Sequence, residues 1–444
     1  MVSESADEGP AQGCPLDLTS KAPFAMPRWI VCLCAFVFCT TGSAVADWPQ
    51  FRGPQGVPVA VARDIPTQWN AEGHAVWKAA LPGPGSSSPI VVGNRIFVTC
   101  YSGYGVDPDN PGDIKNLKRH LVCIEARDGR VLWEKAIPAA QPEQPFEGFV
   151  TLHGYASSTP ASDGQSVYVF FGRSGVYAFS LEGELLWHTA VGTRTHPWGT
   201  AASLLVWKDR VVVNASVESG ALVALDKSTG KPVWQATGIR DSWSTPALVQ
   251  VGGRIELVVS SRGRVLAFDP ASGKQLWECS GVQDYVCPAV VAGDGVVYVT
   301  GGRKPHILAI RAGGQGDVTK THILWEADET PKVATPLLFE GLLYWVDQRG
   351  VATCLDAKTG KTVYKERLSL RGRGDKVYAS PVLAGNAILV PSREDGVLVL
   401  AVGPQFNELG RNRLDPWTGV NATPAILGNQ LLLRTNRFLY CLGK

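Results

Sequence analysis

The sequence has little methionine and no excess of either charge. Only 2 of its 444 residues are Met, whereas Gly, Pro and Trp number 48, 30 and 14, a composition that argues against helices and favours many short strands joined by turns. Lys and Arg total 42 and Asp and Glu total 40, so the net charge of +2 provides no electrostatic footprint for nucleic acid or an anionic membrane. The hydrophobic fraction of 45% still allows a large core, as in an ordinary globular protein.

The motifs of common metal and hydrolytic sites are also missing. The 10 Cys and 7 His residues form no CxxC, CxxCH or HExxH pattern, and no Gly-x-Ser-x-Gly turn is present. These absences argue against structural zinc, covalent haem and the common hydrolases. For an exported chain, a disulfide between Cys100 and Cys123, or between Cys279 and Cys287, remains open.

The N-terminal region has the pattern of a secretory signal peptide. The sequence "MPR" at 26–28 precedes the apolar run "WIVCLCAFVF", and the segment ends in "AVA" at Ala46. The apolar run is too short to span a bilayer. We therefore predict a signal peptide at 26–46, cleavage after Ala46, and a periplasmic or extracellular mature chain without a transmembrane helix. Residues 1–25 are interpreted as a disordered extension or a misassigned start.

A short hairpin recurs along the rest of the chain. In "ALVALDKSTGKPVWQ" (221–235), an aliphatic run and a Trp strand flank a turn in which Asp226 accepts a backbone N–H and Gly230 supplies a positive φ. Closely similar segments return at 264–278 and 350–366. Small residues at the Ala224 position, where Cys123, Cys354 and Cys441 also fall, indicate a place where neighbouring sheets approach closely.

A second signal precedes each hairpin. It consists of one or two small residues, followed in all but one copy by Pro, and then an apolar run. Its eight copies begin near residues 86, 157, 199, 244, 286, 334, 379 and 422, mostly about 42 to 48 residues apart. Each unit contains four strands, which indicates the blades of a propeller. The last unit has only three, and the isolated segment "HAVWKAAL" with Trp77 is predicted to supply its outer strand. We therefore predict an all-β, eight-bladed β-propeller of four-stranded antiparallel blades, closed by an N-terminal strand.

At these hairpins the chain resembles the PQQ-like (pyrroloquinoline quinone) repeat family, whose motif is Ala-x-Asp-x-x-Thr-Gly-x-x-x-Trp. The segment "ALDKSTGKPVW" (224–234) matches it in full, and "AFDPASGKQLW" (267–277) and "CLDAKTGKTVY" (354–364) differ at one or two positions. The resemblance spans 47–444, and the opening "DWPQFRGPQG" is similar to that of secreted PQQ-repeat proteins of undefined activity. It implies a quinoprotein alcohol dehydrogenase-like propeller.

The resemblance implies several classes of function. Some members are dehydrogenases that hold PQQ and Ca²⁺ beside two adjacent Cys residues, others are BamB-type subunits that bind proteins without a cofactor, and others are repeat-bearing sensor domains. This chain has no adjacent Cys pair, and its candidate calcium ligands or base (Asp241, Asp284, Asp375 and Asp415) also have plain loop explanations. We expect a monomeric, non-catalytic binding or scaffold module for protein, or for small anionic or sugar-like, partners. The alternative is a PQQ- and Ca-dependent dehydrogenase that oxidises alcohols or sugars.

One face of the propeller is predicted to bind the partner. The turns between second and third strands repeat an Arg, and the links between blades repeat an aromatic residue; both lie on the same face, and the loops 101–120 and 137–156 open onto it. The Arg positions are Arg173, Arg262, Arg303, Arg349, Arg393 and either Arg434 or Arg437. The aromatic positions are Tyr155, Trp198, Trp243, Tyr285, Tyr378 and Trp417. Such a ring of cations would favour an anionic partner, and the aromatic residues would offer interface anchors.

Processing of the N-terminus is directly testable. N-terminal sequencing of the native protein is expected to begin at Asp47, because the apolar run and "AVA" direct cleavage after Ala46. A cytosolic protein that retains Met1 would contradict this prediction.

Overall fold

The computed structural model describes residues 47–60, 65–69, 74–372 and 374–443. Within them, eight separate sheets, each with four antiparallel strands, form the blades of a propeller, which confirms the predicted fold. The predicted signal peptide at 26–46 and the segment 1–25 lie outside the described residues. None of the helices in the described part of the chain is long and apolar enough to cross a membrane.

The blades are numbered in chain order, and their strands are given from the channel outward. Blades 1 and 2 consist of Ile90–Val92, Arg95–Ser102, Lys118–Glu125 and Val131–Pro138, and of Ala161–Ser162, Ser166–Phe170, Val176–Ser180 and Leu185–Thr189. Blades 3 and 4 consist of Leu205–Trp207, Arg210–Ala215, Ala221–Asp226 and Pro232–Thr237, and of Ala247–Val251, Arg254–Ser261, Arg264–Phe268 and Gln275–Ser280. Blades 5 and 6 consist of Val291–Gly293, Val296–Gly301, His306–Arg311 and Ile323–Ala327, and of Leu337–Phe339, Leu342–Val346, Val351–Asp356 and Thr362–Arg367.

Blade 7 consists of Val382–Ala384, Ala387–Pro391, Val397–Ala401 and Glu408–Asn412. Blade 8 combines the C-terminal strands with an N-terminal one, in the order Ala425–Leu427, Gln430–Arg434, Phe438–Leu442 and Ala75–Ala80. This pairing confirms that the Trp77 strand closes the ring. Two short strands, Val59–Ala60 and Gly316–Asp317, add in parallel to blade 7 and blade 4. The short helices are Val150–His153 and Thr319–His322, with 3-10 turns at Pro54–Gly56, Ile114–Asn116 and Gly172–Ser174.

In seven blades a small residue of the third strand lies opposite an aromatic residue of the outer strand, whereas Val399 faces Gly410 in blade 7. Ala224 pairs with Trp234, and the strand register shifts immediately after this pair. The same pairing and shift recur in other blades, at Cys123–Trp133, Ala267–Trp277, Ala309–Trp325 and Cys354–Tyr364. All six Cys residues of the described chain are free thiols, so neither of the two open disulfides forms.

The outer-strand Trp of one blade is anchored on the turn of the next blade. In five blades its indole Nε1 donates to the carbonyl that opens the neighbouring turn, at 2.8 to 3.1 Å. The pairs are Trp77–Ala126, Trp133–Leu181, Trp187–Lys227, Trp234–Pro270 and Trp325–Ala357. Gly230 shows why the turn needs glycine, since its φ is +70° and a Cβ would lie 2.5 Å from the Trp187 ring.

Blade 5 departs from this pattern. Its third and fourth strands are joined by residues 312–322 in place of the Asp-x-x-x-Gly turn, so Trp277 lacks the usual acceptor. Trp277 donates instead to the Glu256 carboxylate in its own blade at 2.7 Å, and Gly313 N donates to the same oxygen at 3.1 Å. Glu256 is fully buried and also pairs with Arg254 at 2.6 Å. A buried carboxylate thus replaces the turn carbonyl.

The N-terminal segment 47–60 crosses the ring on the face of the first-to-second strand turns. Trp48 forms a bridge with Val91 in blade 1, and Val59–Ala60 lies along the inner strand of blade 7. Between them, Arg52 is 4% exposed and donates to Thr335 O at 2.9 Å and Pro336 O at 2.7 Å in blade 6. Burial lowers the pKa of Arg52 to about 9. The segment therefore ties blade 1 to blades 6 and 7, which are not neighbours of blade 1 in the ring.

Closure by the Trp77 strand can be tested with adjacent residues. Trp77 is 8% exposed, whereas Val76 is 45% exposed. Because Trp77→Ala removes both the inter-blade packing and the hydrogen bond to Ala126, we expect it to lower the free energy of unfolding by about 3–5 kcal/mol. Val76→Ala is expected to change it by less than about 1 kcal/mol. Urea titration compares the two, and equal effects would contradict a closing role for this strand.

Candidate functional site

The inner strands surround a central cavity of about 190 Å³. Phe51 of the N-terminal segment lines it from one side, and the links between blades line it from the other. The link residues include Trp198, Trp243, Tyr285 and Tyr378, four of the aromatic residues singled out in the sequence. The cavity is thus a pocket that the N-terminal segment covers at its base.

A ring of hydroxyl groups forms the wall of this cavity. Each blade contributes one residue just before its inner strand, in the order Ser88, Thr159, Ser203, Thr245, Ala289, Thr335, Ser380 and Thr423. At seven of the junctions, the backbone N–H of one residue donates to the hydroxyl of its counterpart in the next blade, at 2.9 to 3.1 Å. The remaining junction is Thr245–Ala289, because Ala289 has no hydroxyl. The ring closes through Thr423 and Ser88, where the two ends of the propeller meet.

These hydroxyls still have protons to donate. Each one accepts a backbone N–H, and among the described residues no protein acceptor is found for its own proton. A serine or threonine hydroxyl has one donor and two acceptor sites, so each can bind another polar group. The wall therefore presents several O–H donors to whatever fills the cavity.

The helix Val150–His153 forms one side of the pocket and is held by His153. The ring Nε2 donates to Trp198 O at 2.8 Å, and Nδ1 accepts from Ser157 Oγ at 2.7 Å. Burial lowers the pKa of His153, which keeps the imidazole neutral. The histidine thereby fixes the helix against the link that carries Trp198.

An aromatic cluster surrounds the opening. Trp198 contacts Trp243 at 5.0 Å and Tyr285 at 4.6 Å between ring centroids, and Phe149 packs edge-on against Trp198 at 4.9 Å. Phe149 is 47% exposed, although it is a large apolar residue. We call Phe149, Trp198, Trp243, Tyr285 and Arg303 the mouth surface. Arg303 belongs to it because its guanidinium lies 5.9 Å from the Trp198 ring and 5.6 Å from the Tyr285 ring.

None of the predicted arginines lines the cavity. Three of them pair with nearby carboxylates, in Arg262–Asp241 at 3.0 Å, Arg303–Asp284 at 3.5 Å and Arg349–Asp347 at 3.3 Å. These carboxylates offset the positive potential expected from the arginines alone.

The other predicted residues lie in varied surroundings. Arg393 lies 5.1 Å from the Tyr378 ring and donates to Asn421 Oδ1 at 3.0 Å, whereas Arg173 donates to Thr193 O. Trp417 donates to Arg393 O outside the cavity lining. Tyr155 and Arg434 are buried, at 8% and 1% exposure, and pack inside the protein. The repeat position alone therefore does not place a side chain at the opening.

Sequence reasoning missed several residues of the cavity. Gln348 lines it, whereas the next residue, Arg349, points to solvent and was selected because it matched the repeat. The hydroxyl ring was visible as a Ser or Thr at the small-Pro signal of most units, but those residues were used only to count the repeats. His153 and Phe149 had no repeated counterpart to reveal them.

The cavity does not fit PQQ with Ca²⁺. Pyrroloquinoline quinone carries three carboxylates, and calcium requires several oxygen ligands, usually including carboxylates. Among the described residues that line the cavity, none is Asp, Glu, Lys or Arg. Asp241 and Asp284 pair with arginines at the rim, Asp375 accepts from Tyr378 at 2.6 Å, and Asp415 lies exposed. In the described part of the chain, no three His, Cys, Asp or Glu residues gather as a metal site.

A family model described as outer membrane protein assembly factor BamB matches residues 114–315 and 315–403. The protein of that name from Burkholderia pseudomallei is 25% identical over 362 residues, which cover 72% of this chain and 86% of the relative. The one from Alkalilimnicola ehrlichii is 27% identical over 178 residues, which cover 39% of this chain but only 38% of the relative.

Solved structures show the same fold. BamB from Moraxella catarrhalis superposes with a TM-score of 0.58 at 13% identity, covering 83% of this chain and 96% of that one. The computationally designed Ika8 protein superposes with a TM-score of 0.55 at 13% identity, covering 83% of this chain and 100% of that one. At such identities the likeness concerns the fold alone.

A buried carboxyl group supports the link that carries Trp198. The backbone N–H groups of Thr193 and Arg194 both donate to Glu218 O at 3.1 Å, and Thr200 donates to its carboxylate. Glu218 is 2% exposed, and its second carboxylate oxygen has no partner among the described residues. Burial raises the pKa of Glu218 from 4.5 to about 7.

This raised pKa predicts a pH-dependent stability. The unfolded chain releases the proton near pH 4.5 and the folded chain near 7, so the folded state binds more protons between these values and stability falls as the pH rises. Glu218→Gln, which stays neutral, is expected to become more stable than wild type across this window, by up to about 3 kcal/mol at pH 8. Unfolding measured from pH 4 to 8 tests this, with exposed Glu184→Gln as the control. A difference between Glu218→Gln and wild type that does not vary with pH would contradict it.

Proposed function

Since the chain belongs to the BamB-like family of PQQ-repeat β-propellers, we propose that it is an exported, non-catalytic scaffold that binds a protein partner in the cell envelope. The relatives are named for the assembly of outer membrane proteins, a process that requires contacts between proteins. The predicted signal peptide supports export of this chain. Fold alone does not establish function, so the proposal depends on a specific surface.

The mouth surface is the observation that carries this proposal. Phe149 and Trp198 present aromatic area, and Arg303 stacks on both Trp198 and Tyr285. Trp, Tyr and Arg are enriched among the residues that dominate protein–protein binding energies. Four of the side chains come from the links that join blades 1 to 5, and Arg303 comes from a turn of blade 5, so the surface is assembled only when these consecutive blades pack together.

The ion pairs around the opening suit a protein partner better than a simple polyanion. Arg262 and Arg349 are 59% and 63% exposed and pair with Asp241 and Asp347, so both signs of charge are present. Exposed pairs of this kind contribute little to stability, which leaves them free to exchange partners in a complex. Opposite charges in alternation also select the orientation of a partner.

The dehydrogenase alternative has weaker support. The lining without charged groups leaves three carboxylates of PQQ without cations and leaves Ca²⁺ without carboxylate ligands. No reaction step is therefore assigned to the cavity.

Partner binding can be tested with matched double variants. The variant Phe149→Ser with Arg303→Ala changes the mouth surface, and the control Leu185→Ser with Arg127→Ala changes an equally exposed pair elsewhere. We expect the first to weaken capture of the partner from envelope extracts at least tenfold, as for two interface anchors, and the control to leave it unchanged. Quantitative mass spectrometry of captured proteins measures the effect, with circular dichroism to verify folding. Equal capture by both variants would contradict the proposed surface.

A further inference from the structure

The central cavity has the size of a small ring compound. Its volume of about 190 Å³ has room for on the order of ten water molecules. Phe51 covers the base and the aromatic residues flank the opening, so a ligand would be enclosed on most sides. Pockets of this kind orient a ligand by a few polar groups set among apolar walls.

The polar groups of the cavity lack charge but not hydrogen-bonding capacity. The seven hydroxyls of the ring have protons to donate, and each retains a further acceptor site. Gln348 adds a side-chain amide for which no protein partner is found among the described residues. Ionised ligands would lose their hydration here without gaining a countercharge. Ligands with several neutral hydroxyl groups would instead find both donors and acceptors.

The aromatic residues supply the other half of the site. Trp198, Trp243, Tyr285 and Tyr378 line the cavity near its opening. Flat aromatic faces pack well against the C–H surfaces of a ring whose hydroxyls point outward. The hydroxyl ring lies deeper, so such a ligand can contact aromatic faces and hydroxyl groups at once.

We propose that this cavity binds a neutral polyhydroxylated ring of the size of a single saccharide unit. The site lies beneath the mouth surface and needs no protein partner, so the inference goes beyond the proposed scaffold function. Gln348 is assigned a direct hydrogen bond to the ligand, and Trp198 a stacking contact. The neighbouring Arg349 is excluded from the site because its side chain is 63% exposed and pairs with Asp347.

Titration of the purified mature chain tests this proposal. The probes are glucose, galactose, mannose, xylose, N-acetylglucosamine and myo-inositol, and the charged comparisons are glucuronate and glucosamine. We expect saturable binding of at least one neutral probe with a Kd below about 10 mM, and at least tenfold weaker binding of the charged compounds. Calorimetry and quenching of tryptophan fluorescence measure it. Binding of no neutral probe, or equal binding of a charged one, would overturn the proposal.

Variants then locate the site. Gln348→Ala is expected to weaken binding at least threefold and Trp198→Ala at least tenfold, whereas the matched control Arg349→Ala leaves it unchanged. Thermal unfolding verifies that each variant is folded. If Trp198→Ala does not fold, Gln348→Ala alone tests the location of the site. Equal effects of Gln348→Ala and Arg349→Ala would overturn the assignment to this cavity. These measurements contain no partner protein, so their failure would leave the scaffold proposal to be judged by the capture experiment alone.

Discussion

The structure depends on the contact between an outer-strand tryptophan and the turn of the next blade. The indole donates to a turn carbonyl and covers the turn glycine, so each blade completes the core of its neighbour. A single blade cannot bury this tryptophan by itself. The contact between blade 8 and blade 1 forms when Trp77 donates to Ala126 O, and it closes the ring. Where blade 5 lacks the turn, buried Glu256 takes over the acceptor role for Trp277. The exception shows that a buried carboxylate can replace the turn carbonyl as the acceptor of this indole N–H.

The same closure forms the candidate site. The hydroxyl ring joins neighbouring blades at the centre, and its last bond from Thr423 to Ser88 exists only because the chain ends meet. Since backbone N–H groups hold the hydroxyl oxygens in place, these oxygens are positioned before any ligand arrives, and each O–H can rotate toward it. The mouth surface and the cavity share Trp198, and the link that carries it is held by hydrogen bonds of His153 and Glu218. Both proposals therefore depend on how this one short link is held.

Much of the fold could be predicted because its signals repeat. The combination of Trp, Gly and Asp seen at Trp234, Gly230 and Asp226 recurs in several units, and the Trp77 strand supplies the outer strand of blade 8. Among the turn arginines and link aromatics singled out in the sequence, Arg303 lies over Tyr285 and Arg393 over Tyr378. The selection of individual residues was less accurate, since Gln348 rather than Arg349 lines the cavity. Periodicity identifies equivalent positions, but the direction of a side chain at a turn depends on local partners such as Asp347.

By itself, the sequence determined the all-β class, the number of blades and the residues that join them, because turn chemistry and strand periodicity are local and recur in every unit. Only the tertiary structure decided which arginines are paired with carboxylates and which side chains line the cavity. Asp241 and Asp284 meet their arginines across neighbouring loops, Asp347 meets Arg349 within one turn, and Phe51 of the N-terminal segment lines the cavity. The repeat marks equivalent positions, but which side chains pair and which enters the cavity depends on local geometry that no periodic pattern encodes.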